Sequence, residues 1–303
     1  MLRVVVRHPF LILVNFVAAA LAAVALGLVY RDTGKDTGGI QNRLGALFFV
    51  LLYFAFMALS SLPVWREEGL LFVRERAAGA YGTAAYFTAV VLFDVLPMRV
   101  LPPAFFAAVS YPMIGLHPAC AGCGLAFWLV LVMANVTGAA MCMAIGAAAP
   151  SNAVANVAGS LATLVAALFG GPFINRAAAP AAARALMALS YVNYAYEALM
   201  ANEFHGVEGF RFTSRADPNA SIEVTGDEVL GTFGFEGGHL LGDVARLGAL
   251  GAGMFLAAFL LLKVGSGVRA SERTNKKGGG GVESLVGGVR FPLARSPCRR
   301  RPQ

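Results

Sequence analysis

Charge is scarce in this chain. Of its 303 residues, 14% are Asp, Glu, Lys or Arg, against about 25% in a soluble domain. Too little polar surface remains to cover a water-exposed fold of this size, which excludes the ordinary soluble classes. Cysteine is scarce as well, and four residues are too few for a disulfide framework. Cys120 and Cys123 form one CxxC near a span end. They have no second pair to complete a structural zinc site, so they read as small apolar residues at a helix end. Cys142 falls inside a span and Cys298 in the tail. The histidines, His8, His117, His205 and His239, are scattered without ligand spacing. No phosphate loop of the form GxxxxGK[ST] occurs. The run Lys276–Gly281 places its lysines before its glycines and reads as a flexible linker. No nucleophile, acid–base pair or metal cluster stands out, so no enzyme chemistry is expected in the chain itself.

What the chain has is apolar length. Hydrophobic residues make up 58% and the mean hydropathy is +0.67. A bilayer core of about 30 Å needs about 20 apolar residues in a helix. Six stretches meet or approach that: Phe10–Tyr30, Leu44–Leu62, a third ending in Val100–Leu116, Ala121–Ile145, Ala153–Ile174 and Leu247–Val264. The first is too long for a signal peptide and no small-residue cleavage site follows it.

The third stretch is unusual. Ala84–Phe93 is apolar, and then come Asp94, Pro97, Arg99, Pro102 and Pro103. A charge at the bilayer centre costs about 3 kcal/mol or more, which places Asp94 and Arg99 near the inner boundary. Their i, i+5 spacing turns the two side chains apart on an ideal helix. Pro97 removes a backbone hydrogen bond and predicts a kink. Arg99 either snorkels to headgroups or faces a cavity where it couples or selects.

Basic residues set the orientation. With six spans, one side holds fifteen Lys or Arg, ten of them between Lys263 and Arg301, and the other holds eight. The richer side is the cytoplasm, so both termini are expected inside. The tail bases have no aromatic residues between them, which argues against nucleic acid. The connection from Asn175 to Asp243 is then outside, with a helical piece at Ala177–Leu189, the stretch NYAYEALMANEF and a polar loop. Asn219-Ala220-Ser221 in that loop is a glycosylation sequon. Asn135-Val136-Thr137 fits the same pattern but sits within a span. The inner loop Trp65–Phe87 mixes Arg66, Glu67, Glu68, Arg74, Glu75 and Arg76 with Leu70–Val73. Three bases against three acids favour a protein partner over anionic lipid.

Six segments, in order, carry a resemblance: TGGIQNRLGALFF at Thr37–Phe49, FVRERAAGAYGTAAYF at Phe72–Phe87, DVLPMRVLPP at Asp94–Pro103, GPFINR at Gly171–Arg176, YAYEALMANEF at Tyr194–Phe204 and TGDEVLGTFGF at Thr225–Phe235. The chain resembles the membrane domain of ABCG (White-type) half-transporters, over roughly residues 1–265. The resemblance implies an all-α integral membrane fold of six transmembrane helices, an amphipathic cytoplasmic coupling helix and a long extracellular loop before the last span. Residues 266–303 are expected to form a disordered basic cytoplasmic tail.

It also implies roles. The coupling region maps to Glu67, Glu68, Arg74, Glu75 and Arg76, with Asp94 and Arg99 as a transmission element. Phe56 corresponds to an aromatic residue stacking on flat ligands, and Ser160, Thr163, Leu164 and Ala167 to cavity positions on the fifth span. Gly171, Pro172 and Phe173 correspond to the outer gate, where some members carry two leucines. Some members staple the outer loop with cysteines, and here Asn175–Asp243 contains none. The implied partners are a second half-transporter in a homo- or heterodimer, a nucleotide-binding domain carrying ATP and magnesium on an attached or separate segment, and the lipid bilayer. The implied function is export of amphipathic molecules (lipid, sterol or xenobiotic), with the plasma membrane as the expected location. The alternative is a non-transporting partner that regulates a full half-transporter.

Overall fold

A computed structural model describes residues 9–31, 33–116, 122–174, 179–213, 221–235 and 240–278. The architecture is helical: α1 Pro9–Val29, α2 Thr37–Ser60, α3 Leu62–Ala77, α4 Thr83–Val90, α5 Leu96–Ile114, α6 Cys123–Ala148, α7 Asn152–Gly170, α8 Ala181–Leu189, α9 Tyr191–Phe204, α10 Gly226–Phe233 and α11 Leu240–Gly278. Five stretches are long and apolar enough to cross a membrane: Thr37–Ala77, Thr83–Ile114, Cys123–Ala148, Asn152–Gly170 and Leu240–Val264. They coincide with five of the six expected spans. The expected first span coincides with α1, whose apolar stretch Leu13–Val29 is shorter.

α6 lies at the centre and packs on α11, α2, α5, α9 and α3, while α1 rests outside against α5. Small residues permit these close approaches, as is general where lipid tails remove any hydrophobic drive between helices. A methyl group at Gly138 would come within 3.1 Å of the Tyr191 hydroxyl, and one at Gly159 within 2.7 Å of Leu62. Along α7 the buried positions Ala155, Gly159, Thr163, Ala166 and Gly170 form one helical stripe.

Three expectations need correction. First, the expected inner loop Trp65–Phe87 is largely helical, and its helix follows the preceding span without an intervening loop. α2 passes directly into α3 through Ser61, which keeps right-handed helical angles, so that Thr37–Ala77 is one helical stretch. Pro63, in the first turn of α3, lacks an N–H and marks the break there without ending the rod. Second, the kink expected at Pro97 is a π-helical segment, Val91–Val95, in which the Leu96 N–H reaches the Val91 carbonyl five residues back. Pro97 has no N–H to offer Phe93, and the wider turn absorbs that gap. Third, Cys123 is disulfide-bonded, not a filler thiol. Its partner lies outside the described residues, since Cys142 is free and buried.

The outer connection holds more structure than a polar loop. The described helical piece is Ala181–Leu189. α9 follows and is buried along nearly its whole length. Its 14 residues rise about 21 Å, too short to cross the membrane. It wedges among α11, α6, α7 and α2. A two-stranded antiparallel hairpin, β1 Phe210–Thr213 with β2 Ser221–Val224, pairs Phe210 with Val224 and Thr213 with Ser221. β1 also bridges Asp36 through Arg211. Residues 214–220, including Asn219, lie outside the described set. α11 continues as helix through residue 265, the boundary expected between domain and tail, as far as Gly278.

The end of α7 packs closely against the start of α9. A methyl group at Gly170 would sit 2.5 Å from the Asn193 backbone nitrogen and 2.6 Å from the Val192 Cβ. Ser190 fixes the approach: its hydroxyl donates to the Ala166 carbonyl at 2.7 Å and accepts from the Asn193 N–H at 3.3 Å. Gly170→Ala is therefore expected to lower stability by about 1–3 kcal/mol, the range of overpacking in a filled core. Thermal unfolding in detergent checks it, with Gly231→Ala, where nothing lies within 4 Å, as the control.

Candidate transport and coupling site

The prolines and charges of the third stretch find their purpose around Arg99. Pro103 has no N–H, so the Arg99 carbonyl four residues earlier loses its helical partner. The Asn135 side chain of α6 donates to that carbonyl at 3.3 Å. In return the Arg99 guanidinium donates to Asn135 Oδ1 at 3.1 Å, and to Ser61 Oγ at 2.6 Å. Its charge lies 5.3 Å from the centre of the Trp65 ring, within cation–π range. Arg99 is 5% exposed, so it does not snorkel to headgroups. It lines a cavity of about 60 Å³ with Asn15, Met57, Ser61, Trp65 and Asn135, roomy and polar enough to hold water. The Asp94 side chain lies outside the described part.

The Ser61 hinge thus ties Arg99 to the start of α3. Further along α3, Phe72 is fully buried under a stack of rings, with Tyr86 at 4.3 Å and Tyr81 at 6.0 Å. Tyr81 donates to Glu75, and burial followed by that carboxylate pushes the phenol up to about 12, so the donor stays protonated at neutral pH. Arg76 donates to the Lys263 carbonyl of α11 at 3.4 Å. Glu68 and Glu75 are half-buried, as is Arg76. Glu67, Leu70, Leu71 and Arg74 remain exposed. α3 is held along one side and at its end, with a mixed charged and apolar face left open.

The expected transport residues divide. Phe56 is 59% exposed on α2. Ser160 and Leu164 lie on the exposed stripe of α7 with Val157, Leu161 and Leu168. Thr163 and Ala167 turn inward and are buried. At the C-terminal end of α7, Gly171 packs so closely that a methyl group would meet the Phe48 ring at 2.5 Å. Phe173 is largely exposed and meets Phe48 edge-on at 5.1 Å. Phe48 in turn meets Tyr196 of α9 at 6.1 Å, and Tyr196 meets Phe235 at 5.8 Å. Phe173, after half-buried Pro172, therefore begins a chain of rings that runs into α9.

Four participants went unassigned in the sequence: Arg43, Glu203, Asn135 and Arg66. Arg43 of α2 and Glu203 of α9 form a buried ion pair. The Arg43 guanidinium also donates to the Thr33 carbonyl at 2.9 Å and the Gly115 carbonyl at 3.3 Å. Gly115 is the left-handed cap of α5, at φ 76°. One guanidinium thus gathers the N-terminal part of α2 and the C-terminal ends of α5 and α9. Arg43 and Glu203 stood within the quoted segments QNR and NEF, and the signal was a charge inside an otherwise apolar segment.

The model of the ABC-2 type transporter family matches residues 1–204. The chain belongs to the ABC-2 type transporter family. This ABC-2 domain is 32% identical over 259 residues to ABC transporter G family member 24 of Dictyostelium discoideum, covering 85% of this chain and 22% of the relative. It is 30% identical over 236 residues to the broad substrate specificity ATP-binding cassette transporter ABCG2 of Mus musculus, covering 76% and 35%. It is 29% identical over 259 residues to Protein white of Ceratitis capitata, covering 85% and 38%. The chain spans about a quarter to a third of the length of the curated relatives it matches. Together these relatives identify the domain as ABCG-type, the membrane-spanning permease part of a transporter.

Proposed function

We propose that this ABC-2 domain forms half of a dimeric export pathway for amphipathic molecules and is worked by ATP hydrolysis on a nucleotide-binding domain, in the same or another polypeptide. The observation that carries this is α3. Its open face of Glu67, Leu70, Leu71 and Arg74 suits a protein partner. Its anchored side leads through Ser61 to Arg99 and through Phe72 to Tyr86. A push on the open face therefore reaches the membrane helices without passing through a flexible link. The exposed stripes of α2 and α7, with Phe56, Ser160 and Leu164, suit the wall between two copies. The amphipathic class follows the family resemblance, and a wide range of substrates is in keeping with the Mus musculus relative, a broad substrate specificity transporter.

The proposed orientation places α3 in the cytoplasm and the α9 region outside. The Cys123 disulfide supports it, because disulfides persist on the oxidising side of a membrane. Asn202 of α9 donates to the Cys123 carbonyl at 3.1 Å, which puts α9 at that same end. Asn219, between β1 and β2 in sequence, is then open to glycosylation. Endoglycosidase treatment of chain made in a eukaryotic membrane should give a faster-migrating band, and Asn219→Gln should match it without treatment. A wild-type band that does not move would place this loop inside. The transport proposal is tested with inside-out vesicles holding the native polypeptide and an amphipathic fluorescent dye. ATP-dependent dye accumulation supports it. No ATP-dependent accumulation with this polypeptide alone, together with its association with an intact half-transporter that keeps its own transport, would instead favour a regulatory partner.

A further inference from the structure

The turn between α6 and α7 creates a local problem in hydrogen bonding. α6 ends at Ala148, and the Ala149 N–H closes its last bond on Ile145 at 2.9 Å. Pro150 follows and has no N–H, and α7 opens at Asn152 with Ser151 capping the Val154 N–H at 3.2 Å. The Ala149 and Pro150 carbonyls sit at the negative end of α6 and point away from any helical donor. A single side chain satisfies both. The Arg66 guanidinium, in the second turn of α3, donates through Nη1 to Ala149 and through Nη2 to Pro150. Arg66 is 8% exposed, so this charge is taken from water and held against two carbonyls and a helix terminus. The planar fork of arginine reaches two neighbouring acceptors at once, which a lysine ammonium does not do in fixed geometry.

A second contact joins the same pieces. Leu62 lies one helical turn before Arg66 on the same face of α3. It is fully buried against Gly159 of α7, where an added methyl group would approach it to 2.7 Å. Arg66 also lies beside Gly146 of α6, its Cβ 3.9 Å from where a Gly146 methyl group would stand. The first two turns of α3 are therefore bound to both sides of the α6–α7 turn, to one by charge-assisted hydrogen bonds and to the other by close packing.

We propose that Arg66 is a positioning residue that clamps α3 to the turn leading into α7, so that turn and helix move as one body and α7 receives motion from the coupling helix through this turn and through Leu62. This rests on the proposed role of α3 in coupling. The route is separate from the one through Ser61 and Arg99, which leads to α5. The consequence is specific: loosening Arg66 spares the ATPase end and the pathway end but disconnects them.

Two measurements on the complete transporter test this. The first is amide hydrogen exchange in the first turns of α3 and α7, which does not depend on transport. Arg66→Met is expected to raise exchange at residues 152–157 about tenfold or more, and Arg66→Lys less, because lysine keeps one bond. Unchanged exchange in both overturns the clamp. The second is transport per ATP hydrolysed in proteoliposomes, with both rates normalised to folded protein. Arg66→Met should keep at least half of the basal ATPase rate and lose transport per ATP about tenfold, with Arg66→Lys in between. Transport and ATPase falling in equal proportion would make Arg66 merely structural and overturn the coupling role. A wild-type transporter without ATP-dependent transport would refute the proposed function, while the exchange result would still decide the clamp.

Discussion

Glu203→Ala is expected to destabilise the domain by about 3–5 kcal/mol, the cost of removing one partner from a buried ion pair. The side chains of Arg43 and Glu203 are 8% and 2% exposed, so water cannot replace the lost carboxylate. The stranded guanidinium keeps its bonds to the Thr33 and Gly115 carbonyls but loses its counter-charge in a low-dielectric setting. Hydrogen bonds between neutral side chains in membranes average only about 0.6 kcal/mol. An unpaired charge is a different and larger penalty. The double variant Arg43→Met with Glu203→Leu removes both charges and should recover much of the loss, since apolar replacement of a buried pair is often near neutral. The recovery should be incomplete, because two carbonyls then lack their donor. Denaturant titration of the purified protein reads both. A loss under about 1 kcal/mol for Glu203→Ala would mean the pair is solvated in the membrane.

Arg99→Ala is expected to change transport per ATP by about fivefold or more, in the range of measured coupling free energies, while the chain still inserts and folds. Three groups lose a partner at once: Asn135 Oδ1, Ser61 Oγ and the Trp65 ring. The backbone bond from Asn135 to the Arg99 carbonyl survives, so α5 and α6 stay in register. What is lost is the link from α5 to the Ser61 break between α2 and α3. Arg99→Lys should recover little, since an ammonium lacks the fork that spans Asn135 and Ser61. Assay of transport and ATPase in the same vesicles separates this from instability. Equal transport in wild type and Arg99→Ala would remove Arg99 from the coupling path.

The spans were legible because a run of about 20 apolar residues has few other uses. Arg99 was legible for the same reason, since a charge inside such a run demands a partner. Its partners were not. Asn135 lies 36 residues away on another helix, and in the sequence it looked only like a misplaced sequon. Arg43 and Glu203 are 160 residues apart, and no local pattern joins them. α9 was hidden for a different reason. It is buried along nearly its whole length, so its polar residues Asn193, Glu197, Asn202 and Glu203 follow no amphipathic stripe and leave the helix unmarked in the sequence. The α2–α3 rod was masked by Pro63 and by the charged residues beyond it, which imitate the end of a span followed by a turn. On α7 the implied set Ser160, Thr163, Leu164 and Ala167 follows helical spacing, yet the helix axis divides it between an exposed stripe and a buried one.

The open face of α3 is expected to meet a nucleotide-binding domain. Photo-crosslinking residues at Glu67 and Leu71, both exposed, test it in native membranes, with Leu241, 83% exposed near the start of α11, as the control. The account predicts adducts from Glu67 and Leu71 that map to a nucleotide-binding domain, in the same polypeptide or another, and none from Leu241. Adducts from Glu67 and Leu71 with lipid alone would contradict it.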